Sequence, residues 1–486
     1  MKMEVKDKYD LIIVGGGAAG FTAAYEASHN GLSVLVVEKG RNTGGSGEYI
    51  EGAFAVDSYL QKQHDVKLTK EDVLSEELNY SHYRADTQVW KEYIDASAGI
   101  IKWLKDLGVE YLDVAPLGSG YRTWHLFKGL GKSVIHDVLE PKAKKQGTDV
   151  ITSTAVTKVN LSSNGQVESV NIENLADHST KTVNTMAVVL ATGGYLNNKE
   201  LIKNETHYNV DQLIPVNSEK NTGDGLQLAW KVGAQKYAMG TAMLFGGYLK
   251  DHTKPGYVYR YSELNGAADQ QSLLWVNENG DRFVNEEVVD NFALAGNALF
   301  TQGKVFTILD QSTIDHLTNE KLYKPMGTWD YHDTKLPHLK EEMQKAFDEG
   351  APYLTKANSI NELANKVNLS NLKKTVDRYN KLAHSGKDVD FGKKVDFMIP
   401  VENGPFYAIE LGIGAFCTMG GLKTDTKHNV IDQNGKPITG LYAAGNDAAG
   451  MLIGDTYGPN MPGTEAGFVF YSAKHVADVI YQQIED

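Results

Sequence analysis

The chain is 486 residues long, 41% hydrophobic and 23% charged, with a formal net charge of −14 and one cysteine. That length predicts two or three domains with ample burial. The acidic balance argues against a nucleic acid partner, whose phosphates need clustered Lys and Arg. Cys417 alone excludes an internal disulfide framework and any cysteine-ligated zinc or iron–sulfur site. No stretch reaches the ~18 apolar residues of a membrane span, and the charged start MKMEVKDKYD lacks a signal peptide's apolar core. A cytoplasmic location is therefore expected.

In chain order, residues 9 to 20, YDLIIVGGGAAG, form a short apolar run ending in glycines. In the following FTAAYEASHNG, Phe21, Ala24, Tyr25 and Ala27 recur at helical spacing until Gly31. This predicts strand, tight turn and helix. Gly15, Gly17 and Gly20 make the G-x-G-x-x-G pattern, in which missing side chains let backbone N–H groups and a helix N-terminus approach a pyrophosphate. The next strand, LSVLVVEKG, ends at Glu38, where an acidic residue takes ribose hydroxyls. GGSG at 44 to 47 is a second glycine-rich loop, able to run its backbone along a long cofactor. TMAVVLATGGYL (185 to 196) and ITGLYAAGND (438 to 447) are further apolar strands ending in small-residue turns. Together they predict one nucleotide domain built from both chain ends.

Between them the texture changes. From Lys236 to about Leu274 the chain is rich in Tyr and Gly, and NENGDRF predicts an Asn279-Gly280 hairpin turn. Helical patterns follow in LKEEMQKAFDEG and INELANKVNLSNLKKTVDRYNKLAHSG. After the last glycine-rich loop, GTEAGFVFYSAKHVADVIYQQ has Phe468, Tyr471, Val476 and Ile480 near helical spacing, placing Gly463 and Thr464 at a helix start.

With these motifs in order, the chain resembles the FAD-dependent fumarate reductase and 3-ketosteroid dehydrogenase superfamily. The carriers are VGGGAAG, VVEKG, GGSG, ATGG, NTGDG, NENGDRFVNE, TVDRYN, PFYAIE, CTMGG and GLYAAGN. The resemblance implies an α/β fold: a Rossmann-like FAD-binding domain with a three-layer, mostly parallel sheet (residues 1–236 and 405–486), and an inserted α+β capping domain (237–404) that closes over the substrate. It implies FAD contacts from Gly15, Gly17, Ala18, Ala19, Gly20, Glu38, Lys39, Gly44, Gly45, Ser46 and Val156. Others are expected from Ala191, Thr192, Gly193, Asp224, Gly445, Asn446, Asn460, Met461, Gly463 and Thr464. The final helix would aim its partly positive N-terminus at the flavin and stabilise the charge gained on reduction.

The pattern departs from fumarate reductases at the cations that hold a dicarboxylate. A cap His-Pro-Thr is replaced by GTAMLFGGYLK, an arginine by Asp290, a histidine before TMGG by Phe416-Cys417, and an Asn-Arg by YGPNMPG. Losing them removes the bidentate contacts that recognise carboxylates. Tyr457 instead falls where ketosteroid dehydrogenases carry a tyrosine that holds the substrate ketone, a phenol being suited to stabilise an enolate. Asp290 occupies the position facing the carbon that gains a proton, and is read either as general acid–base or as the cap of a helix over DNFALAGNALF. Tyr121, Trp124 and His125 match a cavity-lining segment, with His125 a candidate for proton transfer. Arg282 is read as structural, and Arg122 or Arg260 would serve an alternative, carboxylate-directed reading. The expected reaction is hydride transfer across a carbon–carbon bond next to a carbonyl, on an unsaturated or saturated small molecule. An unidentified electron donor or acceptor completes it. The other alternative is a non-catalytic flavin-carrying subunit.

Overall fold

The computed structural model describes residues 5–118, 120–255, 261–325, 335–457 and 460–485. Five strands run parallel in the spatial order Pro437–Ala443, Thr180–Leu190, Lys8–Val14, Val34–Val37 and Asp149–Ile151. Their cores read LIIV, VLVV and AVVL, the continuous apolar runs of strands covered on both faces. Leu11, Ile12, Ile13, Leu35, Val36, Val188, Val189 and Leu190 are accordingly fully buried. An antiparallel hairpin, Thr154–Leu161 with Val167–Asn174, extends the sheet from the first part of Thr180–Leu190. The helix Ala18–His29 follows the first strand and ends where Gly31 turns left-handed at φ 95°. The helix Thr464–Glu485 packs against it, so segments from both chain ends meet in this unit.

The second sheet is largely antiparallel and is organised around one long strand, Phe406–Thr418. The first half of that strand lies between Val305–Asp310 and Leu354–Ala357, and the second half between Ala242–Leu249 and Leu213–Pro215. The sheet thus draws strands from both flanks of 237–404, and the long central strand carries the chain back from one sheet toward the other.

A separate apolar cluster joins Leu274, Val276, Phe306 and Ile308 to Leu363, Leu372, Val376 and Tyr379 of two helices, Ile360–Val367 and Leu372–Ser385. These helices divide the single apolar pattern at Asn368, which is left-handed at φ 57°. At 279–280 the expected turn forms: the Gly280 amide donates to the Asn277 carbonyl and the Asn277 amide to the Asp281 carbonyl, each at 2.9 Å, with Gly280 left-handed at φ 83°. Leu274–Asn277 pairs with Val305–Asp310, and beyond the turn Arg282 points inward onto Glu286 (2.8 Å) and Asp388 (2.9 Å). Arg282 is thus structural, and its buried guanidinium is held in the charged form by the two carboxylates. No described helix is long and apolar enough to cross a membrane.

Candidate active site

A cleft of about 970 Å³, counted with its open mouth, lies where the parallel strands end. Val14, Val37, Ala191 and Ala444 stand at those ends, the position at which open α/β sheets bind ligands. Gly15, Gly17, Ala18, Ala19, Glu38, Lys39, Gly45, Ser46, Val156, Thr192, Gly193, Asp224, Gly445 and Asn446 also line it. The first glycine is required twice over. Gly15 is left-handed at φ 110°, and a Cβ there would stand 2.3 Å from the Ala191 carbonyl oxygen. Gly20 does not line the cleft: a Cβ on it would meet the Gly15 oxygen at 1.9 Å, so its role is to let the helix start seat under the turn.

The surrounding loops are fixed by hydrogen bonds. The buried Glu38 carboxylate accepts from the amides of Gly16 (2.9 Å) and Gly40 (2.6 Å), and Gly44, which braces the turn rather than lining the cleft, donates to the Gly16 carbonyl at 2.8 Å. Ser46 Oγ donates to Asn221 Oδ1 at 2.7 Å, and the Asn221 amide donates to the Gly193 carbonyl. Lys39 pairs with Asp224. The ATGG turn is tied to Asp447, which accepts from the Thr192 amide (2.7 Å) and hydroxyl (2.8 Å) and the Gly194 amide (2.8 Å). Burial raises the pKa of that carboxyl.

This lining suits FAD. Bare backbone and a helix N-terminus stand where a pyrophosphate needs close approach, and Ile50, Val156, Phe416 and Val469 offer apolar walls to flat rings.

The C-terminal loop is held by contacts of its own. Asn460, Met461, Gly463 and Thr464 do not line the cleft. The Asn460 side chain bonds Glu76 and its carbonyl accepts from the Tyr121 amide at 2.9 Å; Met461 is fully buried. The Gly463 carbonyl accepts from the Phe54 amide at 2.9 Å, and Thr464 Oγ1 donates to the Met461 carbonyl at 2.6 Å. The residue of this helix start that does reach the cleft is Glu465, beside Asn446. Gly458 and Pro459 lie outside the described residues.

Tyr457 is buried at 6% exposure and lines a second, small cavity with Glu77, Tyr80, Ser81 and Trp90. Its hydroxyl is near the Glu465 backbone amide, and burial pushes its pKa up. Asp290 ends the short helix Glu286–Asp290 and is not a cap; Asn291 caps the next helix by accepting from the Leu294 amide at 3.2 Å. Both Asp290 oxygens lie 2.7 Å from the ammonium of Lys324, a residue 4% exposed that sequence patterning did not single out. The backbone of Asp290 touches Gly118, which brings the pair to the loop bearing the 42% exposed Tyr121.

His125 is buried away from the cleft. Its Nδ1 meets the Thr123 carbonyl at 2.9 Å and its Nε2 the Ser58 hydroxyl at 2.6 Å, and burial lowers its pKa to about 4. It is therefore a neutral, fully engaged imidazole. Trp124 is buried against Gly463. Arg122 bonds the Val114 carbonyl at 3.2 Å, and Arg260 lies outside the described residues.

Comparison with known proteins agrees with this geometry. A family model for an FAD binding domain matches residues 10–455. A vinyl phenol reductase of Lactiplantibacillus plantarum is 50% identical over 99% of both chains. A solved flavocytochrome c3 fumarate reductase is 25% identical and superposes with a TM-score of 0.73, over 99% of this chain and 80% of that one. A solved 3-ketosteroid Δ1-dehydrogenase from Sterolibacterium denitrificans shares the fold, with a TM-score of 0.78 at 19% identity over 98% of this chain and 100% of that one. Glycine-lined strand ends, a cleft shaped for a dinucleotide and a family match over most of the length agree: the chain belongs to the FAD-binding-domain family, within the fumarate reductase and succinate dehydrogenase flavoprotein superfamily, and is an FAD-dependent oxidoreductase.

Proposed function

We propose that the protein reduces the vinyl group of a hydroxylated styrene, a vinyl phenol, to the corresponding ethyl phenol. The observation that carries this reading is the 50% identity, over 99% of each chain, to a vinyl phenol reductase. The replacement of the dicarboxylate-binding cations by Asp290, Phe416-Cys417 and YGPNMPG supports it. The activating group then is a phenol conjugated through its ring, in place of the carbonyl expected from sequence.

The chemistry sets what the chain must supply. Loss of the phenol proton pushes electron density through the ring to the terminal vinyl carbon, which takes a proton; the ring-attached carbon becomes electrophilic and takes a hydride. Bound FAD, once reduced, supplies that hydride. The protein must bind the phenol oxygen, exchange protons at the terminal carbon and exclude water. Tyr457 is the proposed hydrogen-bond partner of the phenol oxygen. Asp290, oriented by the Lys324 ammonium, is the proposed proton-exchanging group, with Tyr121 beside it. Residues 237–404 are the proposed cap over the substrate.

A titration tests the substrate class without turnover. Adding 4-ethylphenol to the oxidised holoprotein is expected to perturb its flavin absorbance saturably, while succinate leaves it unchanged. A saturable response to succinate with none to 4-ethylphenol would reject the vinyl phenol reading.

A further inference from the structure

We propose that Glu465 is a proton-accepting group coupled to the redox state of the bound FAD. When two electrons enter the flavin from its hydride-donating reductant, the carboxylate takes one proton from solvent. When they leave to the alkene, the proton is returned. The inference rests on FAD occupying the cleft and is independent of which alkene is reduced.

Position is the first argument. Glu465 is the second residue of the helix Thr464–Glu485, is 6% exposed, and lines the cleft with Asn446 and Phe416. Glu38 is the acidic residue of the strand-end fingerprint that takes the nucleotide half of a dinucleotide; the lining from Phe416, Asn446 and Glu465 is left for the ring half.

Surroundings are the second. The polar partner acting on the carboxyl is the Asn446 side chain. The titratable groups around it are Cys417 from the strand Phe406–Thr418, Tyr457 from the preceding loop and Tyr93 from the helix Thr87–Leu107, with Glu77 of the helix Lys70–Tyr80 behind Tyr457. None is a cation. Several other buried carboxylates are compensated, Glu286 by Arg282 and Lys393, Glu26 by Lys474, and Glu38 and Asp447 by backbone amides, whereas Glu77 shares the lack of a cation but does not line the cleft. An uncompensated buried charge is costly, so this carboxyl is poised to be neutral, and burial, partly offset by the Asn446 side chain, pushes its pKa up to about 7. Negative charge arriving in the same cleft disfavours the carboxylate further, which raises the pKa and draws in a proton.

The competing explanation is an acidic residue placed in the first helical turn for the macrodipole. It predicts no linkage to the flavin.

The test is the midpoint potential of the holoprotein from pH 6 to 9, for wild type and E465Q. Below about pH 7 the carboxyl is neutral in both redox states and the two lines should run parallel. Above it, wild type should be steeper by one proton per two electrons, about 30 mV per pH unit. Parallel lines over the whole range overturn the proposal. Should E465Q fail to hold flavin, the reduced-minus-oxidised infrared spectrum of wild type at pH 8 decides. A carboxyl C=O band gained on reduction is expected, and its absence overturns the proposal.

Discussion

Replacing Gly15 by alanine tests the geometry of the cofactor turn quantitatively. The new Cβ would lie 2.3 Å from the carbonyl oxygen and 2.9 Å from the carbonyl carbon of Ala191, both backbone atoms of the strand-end segment beside it. No side chain can swing away, so the ends of two parallel strands must part at the register Val14 to Leu190. The left-handed φ of 110° adds roughly 1–2 kcal/mol for any residue with a Cβ, and forced overpacking adds about 1–3 kcal/mol. A total of about 2–5 kcal/mol is expected. Gly31 supplies the control: it is left-handed at φ 95° with nothing within 4 Å of its Cβ position, so G31A isolates the backbone term of roughly 1–2 kcal/mol. Chemical denaturation of both variants, with flavin content read from absorbance, separates the two terms. G15A should lose more stability than G31A by about 1–3 kcal/mol and most of its bound flavin, while G31A keeps its colour. Equal losses in the two variants, with full flavin in G15A, would refute the reasoning.

Further outcomes follow from the site and the core. K324M removes the ammonium from a half-exposed carboxylate, so stability should fall by only about 1 kcal/mol, while turnover falls at least about tenfold, roughly 1.4 kcal/mol of barrier; unchanged kinetics would remove Asp290 and Lys324 from the proton path. Y457F should retain flavin and lose most turnover, checked by initial rates against absorbance. Buried His428, with both ring nitrogens unpartnered among the described residues, has its pKa lowered to about 3. A histidine depressed in this way contributes stability that is present above the unfolded value of about 6.5 and lost as pH falls below it. H428F, set against Phe468 and Tyr471, should therefore gain on wild type by about 2 kcal/mol between pH 7 and 5. Urea midpoints at the two pH values check this, and a difference independent of pH would contradict it.

What the sequence made legible is local. The turn at Gly15, the helix ending before Gly31, the ATGG strand end and the start of the last helix each lie within about a dozen residues, where spacing and backbone preference act directly. The site depends on contacts between distant segments. Lys324 reaches Asp290 across 34 positions, and nothing in KLYKPMG marks a buried ammonium. Asn460 and Thr464 sit at the expected loop and helix start, yet the neighbouring Glu465 is the residue there that lines the cleft. Asn221, which braces the cleft, was within reach, because NTGDG is among the motifs that carry the family resemblance. The NENGDRF turn is legible for the same local reason as the others, whereas the course of the chain beyond it, where Arg282 meets Glu286 and Asp388, depends on distant partners. The placement of Phe406–Thr418 is likewise set by partners on both of its sides rather than by its own apolar pattern.

Anaerobic mixing of the fully reduced holoprotein with one equivalent of 4-vinylphenol measures the proposed reaction directly. The flavin colour should return within a turnover and 4-ethylphenol should form one-to-one with flavin, while fumarate leaves the protein bleached. Colour restored by fumarate and not by 4-vinylphenol would contradict the assignment.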